Sequence, residues 1–168
     1  MPSISVDMWA LYEMDMDTSE QKEFLRDTIK EIQKGLNPHS KKSIQEHLNL
    51  YGIVVEDAKI ETLNEAFQAL EQDTEAWELV FAIMEYLKLH FFHKNYISCF
   101  VKHATEEKGN LVLPLNEING VYWMPNKQKL FHTPLMWEIV THTDPSFLSR
   151  EIALQQHNQE GEGNGSNF

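Results

Sequence analysis

The chain has 168 residues and 19.6 kDa, 42% of them apolar and 24% charged, and its 26 acidic against 14 basic side chains give a net charge of −12. This composition excludes collagen-like, low-complexity and disulfide-scaffold chains, and no stretch of about 18 apolar residues is present to span a bilayer as a helix. No basic run exceeds Lys41-Lys42, so direct nucleic-acid binding, which rests on Lys and Arg releasing counterions, is disfavoured, as is attachment to anionic lipid.

A chain of this length can bury roughly 70% of its extended surface, enough for one core, and a single globular domain is expected over residues 1–157. Met1 to Asp7 carries no basic segment followed by an apolar one. With a lone cysteine in an apolar run, Tyr96 to Val101, this points to a reducing, cytoplasmic setting.

Residues 1–16 mix Met8, Trp9, Leu11, Tyr12, Met14 and Met16 with Asp7, Glu13 and Asp15 without a sustained period, so a helical turn and an extended arm are both open. From Asp17-Thr18-Ser19-Glu20, with its capping oxygens, Leu25, Ile29, Ile32 and Leu36 recur at helical spacing. Gly35 and Pro38 should end that helix, Gly35 as a left-handed cap. Ser40 or Ser43 opens a second helix whose apolar side is Ile44, His47, Leu48 and Tyr51, and Gly52 closes it before an extended Ile53-Val54-Val55. After Glu56-Asp57, a third helix sets Ile60, Leu63, Phe67 and Leu70 against Glu61, Glu65, Gln68 and Gln72. A fourth follows Asp73-Thr74; its wide apolar arc through Trp77, Val80, Phe81, Ile83, Met84, Leu87 and Phe91 marks it as the central core helix.

After His93 the pattern changes. Tyr96 to Val101 is aromatic and β-branched, 105–110 is turn-like, Leu111 to Leu115 is extended, Asn119-Gly120 is a hairpin signal, and Pro125 to Gln128 forms another turn. A small antiparallel meander over about 96–132 follows, with Pro114 on an edge or at a bulge; the rival is that 96–103 prolongs the fourth helix. Thr133-Pro134 and Asp144-Pro145 each open a C-terminal helix, the first carrying Leu135, Met136, Ile139 and Val140. Residues 158–168 are polar and Gly-rich, a disordered tail. The expected class is therefore α+β and mainly helical.

Several constellations could carry chemistry. His90 and His93, three apart, share a helical face with His103 within reach of a hairpin, but lack the spacing and the glutamate of a His-Glu-x-x-His site. Asp15 with Asp17 and Glu56 with Asp57 are formal acid–base pairs in polar stretches, where carboxylates are ordinarily solvated. Cys99 with His103 would be a thiolate–imidazole pair, against which its apolar surroundings argue. No nucleophile elbow or glycine-rich phosphate loop is present. No catalytic residue, metal site or cofactor is therefore expected.

Charge and aromatics point elsewhere. Residues 56–85 hold nine acidic side chains against Lys59 alone, a block whose repulsion is relieved by solvent or by a partner. Met and aromatic residues crowd the first sixteen positions around Trp9 and the meander around Tyr122, Trp123, Met124 and Phe131, as they do where proteins meet. The expected function is a non-enzymatic interaction protein, of the inhibitor, immunity, antitoxin, secretion-chaperone or adaptor kind. It would bind a basic partner protein through Glu56, Asp57, Glu61, Glu65, Glu75, Glu78, Trp9 and Trp123. The alternatives are a small histidine-dependent enzyme, with or without a metal, and an acidic mimic of nucleic acid that blocks a DNA-binding protein.

Five of the seven residues Glu160–Ser166 are Gly or acidic, and the tail offers no periodic apolar face. Deleting 158–168 should leave the melting temperature unchanged in a thermal melt; a fall of several degrees would show that the tail docks.

Overall fold

The computed structural model describes residues 2–130 and 139–143. Its elements run β1 (Ser3–Asp7), α1 (Met8–Ile32), α2 (Lys41–Asn49), α3 (Ile60–Gln68), α4 (Glu75–Phe92), a π-helical turn (His93–Ile97), α5 (Ser98–His103), β2 (Thr105–Glu107), β3 (Asn110–Pro114), β4 (Asn116–Ile118), β5 (Val121–Trp123) and β6 (Val140–Thr143). The protein is α+β, with antiparallel pairing between its described strands. None of its described helices is long and apolar enough to cross a membrane. The chain divides into a sheet unit, residues up to Met16 together with those from Phe92 onward, and a helical unit, Asp17–Phe91.

In the sheet unit the strand order is β2-β3-β1-β6. The open question of residues 1–16 resolves into both alternatives: Ser3–Asp7 is a strand with neighbours on either side and Met8 begins a helix. Asp7 makes the switch, because its carboxylate accepts from the Ala10 amide at 2.7 Å as an N-cap. The expected start at 17–20 is therefore corrected: Asp17, Thr18 and Ser19 lie inside α1, whose 25 residues need no second cap. Gly35 is corrected as well, since it does not take a positive φ and α1 ends before it, at Ile32.

The strand expected at Tyr96–Val101 is helical, as the rival reading had it. The π turn widens the helix by one residue, so that consecutive Tyr96 and Ile97 are both buried beside Cys99 and Phe100 against Ile4, Val6, Leu111 and Leu113. Side chains from the following segment anchor this turn, Asn126 Nδ2 donating to the Asn95 carbonyl at 2.8 Å while the Tyr96 hydroxyl donates to that of Lys129. The meander proper begins at β2, inside the segment expected to be a turn, and the chain reverses at Lys108 and Gly109, φ 51° and 85°. Asn119 and Gly120, φ 53° and 77°, close the β4–β5 hairpin as a type I′ turn demands. Strand β3 is interior rather than on an edge. Pro114 is tolerated because β2 pairs only as far as Val112, leaving the proline opposite Ser3 alone. Of the C-terminal expectations, Val140 is corrected from helix to strand β6, with Ile139 in the turn before it; the rest of the two helices, Phe131 and the tail lie outside the described residues.

The helical unit follows the sequence closely. Ser40 caps α2, its hydroxyl accepting from the Ser43 amide at 3.1 Å, and Gly52 at φ 76° ends it. Thr74 Oγ1 accepts from the Trp77 amide, starting α4. Residues 53–55 belong to no helix or strand, with Val54 exposed and Val55 buried. The core gathers Ile29, Ile44, Leu48 and Leu63 around Leu79, Val80, Ile83, Met84 and Tyr86 of α4. Leu63 is the only fully buried residue of α3. Leu63→Ala should therefore cost about 2–5 kcal/mol in a denaturant melt, the range for a buried leucine whose cavity collapses only in part; a cost under 1 kcal/mol would mean that α3 is not held by this contact.

Candidate functional site

The residues expected to bind a partner fall into both units. Glu56, Glu61, Glu65, Glu75 and Glu78 are exposed and Asp57 is half-buried, all in the helical unit. Two have local duties. Asp57 accepts from the Lys59 amide at 2.9 Å; a hydrogen bond from Thr62, then that amide, hold its carboxyl below the usual range. Glu75 accepts from the Tyr51 hydroxyl at 2.6 Å, and burial followed by this carboxylate pushes the Tyr51 phenol up. Glu61, Glu65 and Glu78 form no ion pair among the described residues. In the sheet unit, Trp9 is 70% exposed and meets Tyr12 edge-on, with Met16 exposed one turn further along α1. Trp123 is half-buried under Lys129, whose Nζ lies 5.7 Å from its ring; its own indole N–H is buried without a partner among the described residues.

Two features of the helical unit were not anticipated. The first is an apolar groove of about 390 Å³ lined by Phe24 and Leu25 of α1 and Phe81 and Leu89 of α4, with Glu20, Gln21 and Glu85 at its margin. Phe24 is 69% and Phe81 43% exposed, although burying either would be favourable. Phe81 belongs to a three-ring aromatic cluster: its centroid is 6.1 Å from Trp77 and 5.8 Å from Phe67, and those two rings are 5.3 Å apart. The signal in the sequence is Phe24 itself, a large aromatic one residue off the Leu25–Ile29–Ile32 stripe.

The second is a polar cluster on the α1 side of α4. Tyr86 is fully buried, and its hydroxyl accepts from Arg26 Nη2 at 2.7 Å. It lies 2.6 Å from His39 Nε2, which also receives Arg26 Nη2 at 3.1 Å; since arginine can only donate, the ring nitrogen is the acceptor and the phenol donates to it. Lys22 Nζ donates to His90 Nδ1 at 3.1 Å and, like the Arg26 guanidinium, lies over the Tyr86 ring. Burial, then the neighbouring Arg26, hold the Lys22 amine below the ordinary lysine value. Ser19, Lys22, Glu23, Arg26, Asp27 and Tyr86 line a cleft of about 350 Å³ there.

The histidines do not gather as a metal trio. His90 belongs to the cluster with Lys22 and His39, His93 pairs with Asp15 in the sheet unit, and His103 is exposed. Asp17 is exposed and takes no part in the Asp15 pair. Among the described residues no three His, Cys, Asp or Glu side chains converge as metal ligands. Cys99 is buried, and burial pushes its thiol up, away from a reactive thiolate.

The lowered Lys22 value has a sign. Between that value and the ordinary one the unfolded chain keeps a proton that the folded chain has released, so this residue makes stability rise with pH across the interval. In a ¹³C titration of the lysine ε-carbons, Lys22 should titrate below the ordinary lysine value, and Arg26→Gln should move it upward; titration at the ordinary value would refute the placement of its amine. Searches against protein-family models, curated proteins and solved structures find no match to this chain.

Proposed function

We propose that this chain is a non-enzymatic, cytoplasmic interaction protein that grips a basic amphipathic segment of a partner protein, by its apolar side chains in the Phe24–Phe81 groove and by its cations on the surrounding carboxylates. The observation that carries the reading is the groove: two phenylalanines left in water, with Glu20 and Glu85 at its margin. An apolar anchor site within a charged rim is the arrangement used to seat a helix face, the anchors supplying lifetime and the rim supplying orientation. The exposed carboxylates of α3 and α4, Glu61, Glu65, Glu75 and Glu78, add a field that draws a cationic partner in, and Glu56 and Asp57 extend it. The Trp9–Tyr12 face and Trp123 of the sheet unit are further contact surfaces in the same proposal. No observation favours the histidine enzyme or the nucleic-acid mimic over it.

Charge and groove separate experimentally. With a partner captured from a cell lysate on the wild-type chain and then measured for binding kinetics, replacing Glu61, Glu65, Glu75 and Glu78 by Gln should slow association about tenfold at low salt and change the dissociation rate little. Phe24→Ala, at a side chain with no aromatic partner among the described residues, should leave the melting temperature unchanged and speed dissociation by tenfold or more. A partner retained equally by wild type, the fourfold Gln variant and Phe24→Ala, without dependence on salt, would remove the proposal.

A further inference from the structure

The geometry points to a second binding site on the helical unit, independent of the groove: the cleft at Lys22, Arg26 and Tyr86 receives a phosphate group, free or as a phosphate monoester. The first support is an imbalance. Lys22 and Arg26, one helical turn apart, both lie over the Tyr86 ring and share one cleft; like most described lysines, and unlike Lys42 with Glu46 and Lys88 with Glu85, they are within ion-pair distance of no carboxylate among the described residues. Like charges at this spacing repel, and partial burial of Lys22 strengthens the repulsion. A dianion between them cancels both charges, which a carboxylate, with one charge, does only by half.

The second support is the supply of donors. Arg26 spends Nη2 on Tyr86 and His39, leaving Nη1 and Nε without a partner among the described residues. Lys22 commits one of its three N–H bonds, to His90. The buried Tyr86 hydroxyl fixes the guanidinium in place and the Tyr86 ring lies under both cations, so the site is ordered before a ligand arrives. The Ser19 hydroxyl lines the same cleft and is a further donor. Glu23 and Asp27 also line it, and they oppose an anion in the cleft itself as the net charge of −12 does at a distance. Affinity therefore comes from short-range hydrogen bonds to a compact group, and bulk chloride does not substitute for it.

The test is a titration of the full chain with inorganic phosphate, at fixed pH and fixed ionic strength balanced with sodium chloride, read by the His39 and His90 ring proton resonances. Both should shift saturably, and both Lys22→Gln and Arg26→Gln should weaken binding at least tenfold. Arg26→Lys, which keeps the charge and loses the fork, should lie between them and wild type. If an Arg26 variant does not fold, Lys22→Gln alone decides. O-phosphoserine in place of phosphate distinguishes the source: tighter binding assigns a phosphorylated side chain, equal or weaker binding a free phosphate. Shifts that do not saturate, that equal those in chloride, or that persist unchanged in Lys22→Gln overturn the site. Phe24→Ala should not alter phosphate binding, so failure here and failure of the groove are separate results.

Discussion

Helix α4 buries Leu79, Val80, Ala82, Ile83, Met84 and Tyr86 within eight residues, an arc too wide for any single neighbour to cover. The helical unit is organised by that demand. Apolar residues of α1, α2 and α3 converge on α4, each helix with one face to give, and their polar faces become the surface by default. The hydroxyl of Tyr86, which is fully buried, has to be satisfied where water is scarce. Arg26 and His39 satisfy it, and in doing so they are held in place. A packing requirement thereby orders the Arg26 guanidinium beside Lys22 over the Tyr86 ring, a result that no tally of charge along the chain contains.

What could be read from the sequence is what is decided locally. The Ser40 cap, the positive φ at Gly52 and the Asn119-Gly120 turn depend on the covalent and hydrogen-bonding options of one or two residues, and each was legible. Tyr96–Val101 was not, because β-branched and aromatic residues are also what a helix needs when it lies against a sheet core, and tertiary burial outweighs propensity. The start of α1 was obscured by Asp17-Thr18-Ser19, good caps that a 25-residue helix simply absorbs, while the working cap, Asp7, ends a strand. The acidic block was legible since charge can be counted. The cation cluster was not: Lys22, Arg26, His39, Tyr86 and His90 come from positions that only folding joins.

The two readings of the helical unit draw on opposite electrostatics. At long range the field is that of many unpaired carboxylates, and it selects for cations. Beside Tyr86 two cations lie over one ring with Glu23 and Asp27 lining the same cleft, so what that place offers an anion is donors at hydrogen-bond range. On these two proposals a basic protein segment and a phosphate group would not compete, because each would be recognised over a different distance.

The sheet unit offers a consequence of another kind. Cys99 is the only thiol of the chain, it is 3% exposed, and it packs in the same cluster as Ile4, Val6 and Leu113. A thiol so placed reacts with an alkylating reagent only when its surroundings come apart, so the rate of its modification is a clock for opening of the π turn and the strands it covers. The native chain carries that reporter at a single position and needs no engineered label, and the helical unit, lacking a cysteine, stays silent in the same measurement.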